Sequence, residues 1–153
     1  MQETQIQSRL GYLDIFSIEN LASFAAAFAS AVTGALDSPV EKTLSAVAKF
    51  FRSCRPTITP QEDGTPSFSF DIAPSVATAT LDETFAYLKS KERRAVIAID
   101  EFQQIAEFPE KGIEAMLRSH IQFVPWVRFV FAGSRHHVTP RHREMRAFFS
   151  CMT

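Results

Sequence analysis

The stretch Val96-Ile97-Ala98-Ile99-Asp100-Glu101 decides the expected fold, because a short apolar run ends there in two carboxylates. A strand that is covered on both faces has a continuous apolar run of this kind, and such strands are typical of parallel sheets. Ligands of these sheets bind beyond the carboxyl ends of the strands. We therefore expect an α/β fold with a mostly parallel sheet and with Asp100 and Glu101 at its ligand-binding edge.

The two acids suggest magnesium and nucleotide chemistry. In phosphate-transfer sites, Mg²⁺ is held by one or two carboxylates together with substrate phosphates. Asp100 would hold Mg²⁺, directly or through water, and Glu101 would polarise an attacking water. An apolar strand that ends in Asp-Glu also occurs by chance in many α/β proteins, so the pair alone leaves a purely structural role open.

The phosphate loop that normally accompanies such acids is missing from the sequence. None of the five glycines begins a Gly-x-x-x-x-Gly-Lys-Ser/Thr motif; they are Gly11, Gly34, Gly64, Gly112 and Gly133. The backbone amides and the lysine of that loop neutralise the phosphates of a bound nucleotide, and carboxylates cannot replace them. The sequence thus predicts an ATPase-type site that has the acids but not the phosphate loop. We expect this chain alone to hydrolyse ATP weakly or not at all.

Length and composition indicate one globular domain. A chain of 153 residues with 46% hydrophobic and 22% charged residues can bury one sizeable core. The formal charge of -1 gives no electrostatic reason to expect nucleic acid as a partner. No apolar run approaches the roughly 18 residues of a membrane span, and the first residues lack a secretion signal. We expect a cytoplasmic protein without membrane contact.

Strands and helices alternate in the first third of the chain. Residues 12–16 predict a short strand, followed by Ser17 as the cap of a helix. The apolar stripe of that helix runs from Leu21 to Val32 at helical spacing. Residues 38–41, Ser-Pro-Val-Glu, predict the start of a second helix with a cap, a first-turn proline and a capping-box glutamate.

Residues 56–75 have the composition of a β-hairpin inserted into the domain. An Asp63-Gly64 pair lies between two short stretches of alternating polarity, which is a hairpin signal. Phe68 and Phe70 would point to one side and Ser69 to the other. We expect an exposed ribbon on the domain surface.

The second half of the chain continues the alternation. A capping box at residues 80–83 predicts a helix that runs through Leu88. Pro109 predicts the start of another helix, whose apolar stripe leaves Arg118 outside. Residues 127–132 predict one more strand. Strands interleaved with helices indicate right-handed crossover connections and a parallel sheet.

Five segments in this order together resemble the archaeal-type ATPase family, a prokaryotic branch near the signalling (STAND) and AAA+ P-loop ATPases. They are residues 12–16, 55–58, 98–105, 117–122 and 131–135. The resemblance covers roughly residues 11–136. It implies an AAA+-like P-loop NTPase fold, a three-layer sandwich, with ATP and Mg²⁺ as ligands. The fold would be incomplete, because the phosphate loop of the relatives precedes the strand that matches residues 12–16.

The resemblance also implies a role for each site residue. Asp100 matches the acid that coordinates Mg²⁺, and Glu101 matches the catalytic glutamate. Ser134 and Arg135, which follow Gly133, match the sensor segment that contacts the γ-phosphate. Arg118 is a candidate arginine finger, which would stabilise charge in the transition state. The alternatives without a catalytic role are a surface ion pair for Arg118 and a polar turn for Ser134 and Arg135.

The resemblance divides the chain into a partial ATPase core at residues 1–137 and a basic C-terminal tail at residues 138–153. Three histidines lie among the arginines near this end, namely His136, His137 and His142. Their spacing does not fit a zinc site, which normally needs four ligands at defined intervals. Attraction of phosphate by the basic tail remains open, but nothing in it would read a base sequence.

Two classes of function remain after the sequence analysis. The first is an ATP-binding domain with an ATPase-type site that lacks its phosphate loop. The alternative is a non-enzymatic interaction module, or the remnant of a split ATPase. Such a module would use a free sheet edge and the hairpin to pair with a protein partner or with a second copy.

Overall fold

The computed structural model describes residues 9–36, 44–62, 64 and 66–133. In chain order the strands and α-helices are β1 (Arg9–Asp14), α1 (Leu21–Leu36), α2 (Leu44–Phe50), β2 (Arg55–Pro60), β3 (Pro66–Asp71), α3 (Ala77–Lys91), β4 (Ala95–Asp100), α4 (Ile113–Ile121) and β5 (Val127–Phe131). Short 3₁₀ turns at Pro74–Val76 and Phe102–Glu107 precede α3 and follow β4. Within these residues, no helix is both long enough and apolar enough to cross a bilayer.

Strands β1, β4 and β5 form a parallel sheet in the order β1-β4-β5, with the acid-bearing strand β4 at its centre. The predicted α/β class, the parallel sheet and its three strands are confirmed. Strand β1 begins earlier than predicted, at Arg9, and pairs in register with β4 from Arg9 opposite Ala95 to Asp14 opposite Asp100. The carboxyl ends of both strands therefore meet at one edge of the sheet, which we call the carboxyl edge.

One face of this sheet is covered by α1 and α3. Its middle row consists of Gly11, Ile97 and Phe129, which are register partners across the three strands. The ring of Phe28 from α1 lies 6.4 Å from the ring of Phe129 and 5.3 Å from that of Phe85 in α3. This aromatic contact joins both helices to the sheet at the centre of the core.

Helix α1 is the most completely buried helix of this layer. The side chains of the predicted stripe are buried, and Ala29 is buried with them; the stripe consists of Leu21, Phe24, Ala25, Phe28 and Val32. The predicted cap at Ser17 is wrong. The helix begins after Asn20, whose side-chain oxygen accepts a hydrogen bond from the Ser23 amide at 2.9 Å.

The predicted hairpin is confirmed as β2 and β3, which pair antiparallel from Arg55 opposite Asp71 to Pro60 opposite Pro66. Phe68 and Phe70 are buried, whereas Ser69 faces solvent and shares a hydrogen bond of 2.7 Å with Thr57. The hydroxyl of Ser30 in α1 donates to the Phe68 carbonyl at 2.6 Å. The hairpin is therefore a cover for α1. Asp63 lies outside the described residues, as do residues 38–41.

The predicted starts of α3 and α4 are wrong. Helix α3 begins at Ala77, directly after the 3₁₀ turn that Pro74 opens, so Thr80 lies inside the helix and its hydroxyl donates to the Val76 carbonyl at 3.1 Å. Helix α4 begins at Ile113 and not at Pro109. Gly112 has φ +77°, a left-handed conformation that turns the chain into the helix.

The opposite face of the sheet, which we call the open face, is not covered by any of the described helices. It carries the side chains of Leu10, Tyr12, Asp14, Val96, Ala98, Asp100, Arg128 and Val130. Leu10 is 67% exposed and Tyr12 is 60% exposed. The described residues thus form two layers, and the third layer of the expected sandwich is not among them.

Gly11 sets the distance between the sheet and α1. A Cβ atom at this position would lie 2.8 Å from Ile97 Cδ1 and 3.2 Å from the Ala31 carbonyl oxygen. Gly34, near the end of the same helix, has no atom within 4 Å of an added Cβ. The two glycines therefore differ in what a methyl group would meet.

Substitution of these glycines by alanine should change stability in opposite directions. Gly11→Ala should lower the free energy of unfolding by about 1–3 kcal/mol, because the added methyl overpacks the contact between β1 and α1. Gly34→Ala should raise it by about 0.5–1 kcal/mol, because alanine restricts the unfolded chain and favours helix. Urea denaturation of both variants measures the difference, and a shift of the same sign in both would contradict this packing.

Glu83 should stabilise the junction between α2 and β2. Its carboxylate accepts hydrogen bonds from the Arg52 and Ser53 amides, each at 3.1 Å, and from the Ser53 hydroxyl at 2.6 Å. Glu83→Ala should cost roughly 2 kcal/mol of unfolding free energy, because the two amides lose a charged acceptor. The same substitution at exposed Glu107 should cost less than about 0.5 kcal/mol in the same denaturation experiment. Equal costs would refute the role of Glu83.

Candidate functional site

The candidate site lies at the carboxyl edge, where β1 and β4 end side by side. Asp14 and Asp100 are the last residues of the two strands and are register partners, so both side chains lie on the open face. Neighbouring strands are about 4.8 Å apart, which brings the two carboxylates into the same small region. The central strand thus delivers its acid where ligands of parallel sheets bind.

Asp100 is held in place by two hydrogen bonds. The Tyr12 hydroxyl donates to Oδ2 at 3.1 Å, and the Glu101 amide donates to Oδ1 at 2.9 Å. Each carboxylate oxygen has two lone pairs, so each can still accept a further donor or a cation. The side chain is half-buried and oriented toward the edge, as a metal ligand needs to be.

Glu101 adopts a left-handed backbone conformation, with φ 55° and ψ 36°. This conformation is costly for a residue with a side chain, and it is enriched at functional sites. The Glu101 amide is fixed by Asp100, and the amide group of Gln103 donates a hydrogen bond to the Glu101 carboxylate. The left-handed turn ends β4 and begins the 3₁₀ turn at Phe102–Glu107, so Glu101 does not continue the direction of the strand.

The end of β5 joins the same region through the backbone. The Ala132 amide donates to the Ile99 carbonyl, and the Phe102 amide donates to the Ala132 carbonyl, both at 2.9 Å. The side chain of Gln103 lies directly against Gly133. The start of the predicted sensor segment is therefore connected to Glu101 through the Gln103 side chain. Ser134 and Arg135 lie outside the described residues, and their sensor role stays a prediction.

Arg118 lies elsewhere, on the exposed side of α4. It lines a cleft of about 850 Å³ between the 3₁₀ turn and α4, together with Lys111, Glu110 and Glu114. Neither Asp100 nor Glu101 lines this cleft. The structure confirms that Arg118 is off the apolar stripe of α4 but does not bring it to the acids, so its role as an arginine finger also stays a prediction.

The acids at the carboxyl edge perturb Tyr12. Its pKa is raised above the ordinary value, first because its hydroxyl is hydrogen-bonded to Asp100, then through desolvation and through the negative charges of Asp100, Asp14 and Glu101. Three carboxylates near one phenol make this edge electronegative. Such an edge favours a cation.

The described residues do not form a closed metal site. Within the described ranges, no group of three or more His, Cys, Asp or Glu side chains converges as a metal site. Mg²⁺ commonly takes one or two carboxylates and completes its octahedron with phosphate oxygens and water. Asp100, with Asp14 beside it, supplies that partial set.

Sequence reasoning did not assign roles to Tyr12, Asp14 or Gln103. Tyr12 and Asp14 stand two residues apart in a strand, which places them on one face, and Asp14 ends its strand as Asp100 does. This alternation was the sequence signal that could have drawn attention to the two residues. It could not show that they lie beside Asp100, because the pairing of β1 with β4 is a tertiary contact between distant parts of the chain.

The Tyr12–Asp100 hydrogen bond can be tested by titration. Because the folded state holds the phenol proton more tightly, the bond contributes stability below the ordinary tyrosine pKa of about 10, and this is lost as pH rises through the raised pKa. In a Tyr87→Phe background, which leaves Tyr12 as the one tyrosine, Asp100→Asn should lower the Tyr12 pKa toward its ordinary value. Absorbance of the tyrosinate measures it. An unchanged titration curve would show that the bond does not form.

Comparisons of the chain with protein-family models, with curated proteins and with solved structures found no match. No family is therefore assigned to the chain, and its function is considered from the geometry of the carboxyl edge. Asp14 and Asp100 lie side by side at that edge. The chemistry of that edge is the starting point for a proposal.

Proposed function

We propose that the carboxyl edge binds a magnesium–nucleotide complex, with ATP as the nucleotide, in an α/β domain of the P-loop ATPase type. One observation carries the proposal. Asp100 ends the central strand of a parallel sheet, is oriented by Tyr12 and Glu101, and has Asp14 as its register partner. Nucleotide-binding α/β proteins use this edge for their ligands.

Each acid at the edge has a role in this proposal. Asp100 would hold Mg²⁺, directly or through water, and Asp14 would add negative charge beside it. Glu101, which Gln103 orients by a hydrogen bond, would polarise the water that attacks the γ-phosphate. Gly133 lies against the Gln103 side chain, and Ser134 and Arg135, which follow it in the sequence, would contact phosphate.

The charge of the edge makes binding strictly dependent on Mg²⁺. ATP and three carboxylates repel one another unless a divalent cation lies between them. The 153 residues contain no phosphate-loop motif, so the amides and the lysine that would neutralise the β- and γ-phosphates are not supplied by this sequence. We therefore expect weak binding of Mg-ATP and slow hydrolysis or none by this chain alone.

Calorimetric titration of Mg-ATP into the chain tests the proposal, with Asp100→Asn as the site variant. The exposed Asp71, at the end of β3, provides a matched control as Asp71→Asn. We expect saturable heat that disappears without Mg²⁺, is weakened roughly tenfold or more by Asp100→Asn, and is unchanged in the control. A folded chain without saturable heat, or equal heats in both variants, would refute the proposal.

A paramagnetic ion gives a second reading for weak binding. Mn²⁺ substitutes for Mg²⁺ at oxygen ligands and broadens nearby NMR signals. With ATP present, the amides of Glu101 and Ile15 should broaden first, since they are bonded to Asp100 atoms. Broadening centred on the cleft beside Arg118 would show that the cation binds there and not at the carboxyl edge, which would contradict the proposal.

A protein-interaction module is the second candidate, and the outer edges of the sheet favour it. Among the described residues, β1 and β5 each pair along one side, with β4. Unpaired strand edges are templates for another chain. Asp100→Asn separates the two functions, because a partner bound along a strand edge would still bind to the variant while Mg-ATP would not.

A further inference from the structure

Phe16 is an exposed aromatic residue directly after the end of β1, next to the acids of the carboxyl edge. Its side chain is 71% exposed, whereas Ile15 before it is fully buried and Ile18 after it is 9% exposed. The two isoleucines belong to the hydrophobic core, and Phe16 does not. Single exposed apolar residues are common on protein surfaces, so the position of this ring decides whether it has a role.

The turn that carries Phe16 is held by three backbone hydrogen bonds. The Phe16 amide donates to Asp14 Oδ1 at 2.9 Å, and the Ile15 amide donates to the Asp100 carbonyl at 3.2 Å. The Ile18 amide closes the turn by donating to the Ile15 carbonyl at 3.1 Å. Because this backbone is already ordered, a ligand that contacts the Phe16 ring would not have to order it on binding.

Phe16 lies within reach of a ligand bound at Asp100. Asp14, the register partner of Asp100, is two residues before Phe16, and two residues span at most about 7 Å. The Asp14 carboxylate also accepts the hydrogen bond of the Phe16 amide. A nucleotide with its phosphates and Mg²⁺ at these acids still has a sugar and a base to place. An exposed aromatic ring beside the acids offers a surface for the base.

The chemistry of the ring complements that of the acids. Carboxylates repel phosphate when no cation lies between them, but they do not repel a neutral base. Bases stack on aromatic side chains through their π-faces, and each stacked base contributes enough free energy to change affinity by tenfold or more. A phenyl ring has no hydrogen-bond donor or acceptor, so it would not select one base from another.

We propose that Phe16 is the stacking platform for the base of a nucleotide whose phosphates and Mg²⁺ lie at Asp100. This inference rests on the proposed function, because the phosphates at the acids bring the base to Phe16. The ring would favour nucleotides over inorganic polyphosphate, since only a nucleotide has a base to stack. Phe16 would thus add affinity for the half of the ligand that the acids do not contact.

Calorimetry of the full chain with two ligands, Mg-ATP and the magnesium complex of inorganic tripolyphosphate, tests this role. Phe16→Ala should weaken Mg-ATP roughly tenfold or more and leave tripolyphosphate unchanged, because only ATP loses a stacking contact. Phe16→Tyr, which keeps a ring, should retain the affinity for Mg-ATP. Phe123→Ala removes another exposed ring, 58% exposed and beyond the end of α4, and should change neither ligand.

The two ligands distinguish failure of this inference from failure of the proposed function. Saturable heat with both ligands, and equal Mg-ATP affinity of the parent chain and Phe16→Ala, would overturn the stacking role alone. Equal losses of both ligands in Phe16→Ala would also overturn it, because the residue would then support the edge and not the base. A chain without saturable heat for either ligand would overturn the proposed function and the stacking role together.

Fluorescence of Phe16→Trp reports the contact directly, because a stacked purine quenches an indole. The one tryptophan of the parent chain, Trp126, provides the background. Its carbonyl accepts a hydrogen bond from Ala95, so it lies at the end of the sheet opposite the acids. Mg-ATP should quench Phe16→Trp and leave the parent chain nearly unchanged. Equal quenching by tripolyphosphate, or an unquenched variant that still binds Mg-ATP, would overturn the contact.

Discussion

The parallel pairing of β1 with β4 is the interaction on which the rest of the structure depends. It sets the register that places Asp14 beside Asp100, and it brings the Tyr12 hydroxyl within hydrogen-bonding distance of the Asp100 carboxylate. Gly11 lets α1 pack closely over this pairing, because an added Cβ atom would lie 3.2 Å from the Ala31 carbonyl oxygen. A single missing methyl group thus links the packing of the core to the geometry of the candidate site.

The sheet has an apolar centre and an acidic carboxyl edge. Its centre is joined to α1 and α3 by phenylalanine rings, which supply rigid apolar contact. Carboxylates lie at its carboxyl edge, because burial of unpaired charges in the core would cost too much free energy. The acids remain solvated at that edge, yet they are positioned by the strands beneath them. Oriented charge at the end of a rigid sheet is what a cation site requires.

The elements with strong periodicity could be predicted from the sequence. The stripe of α1 and the alternation of β3 each follow from burial on one side, so local pattern and tertiary structure agree. The apolar run of β4 correctly indicated a strand of a parallel sheet, and the structure places that strand at the centre. The run also predicted burial on both faces, whereas Val96 and Ala98 are partly exposed among the described residues.

Helix starts could not be predicted as well, because capping motifs are short. Thr80 and Glu83 have the spacing of a capping box, but a 3₁₀ turn opened by Pro74 starts α3 earlier, and Glu83 instead binds amides after α2. The same limit applies to the site. Asp100 and Glu101 stand out in one short segment, whereas Tyr12, Asp14 and Gln103 acquire their roles only through contacts that the fold creates.

The distance along the chain between β1 and β4 also has a kinetic consequence. About 80 residues separate the two strands, whereas only the 3₁₀ turn, α4 and their connections lie between β4 and β5. Closing a long loop costs entropy before its contacts form, so distant strand pairs form late. The β4–α4–β5 unit can assemble first, and β1 would then join it. Pulse-labelling during refolding would accordingly show protection of β5 amides before those of β1, and the phenol of Tyr12 would reach Asp100 only in the last step.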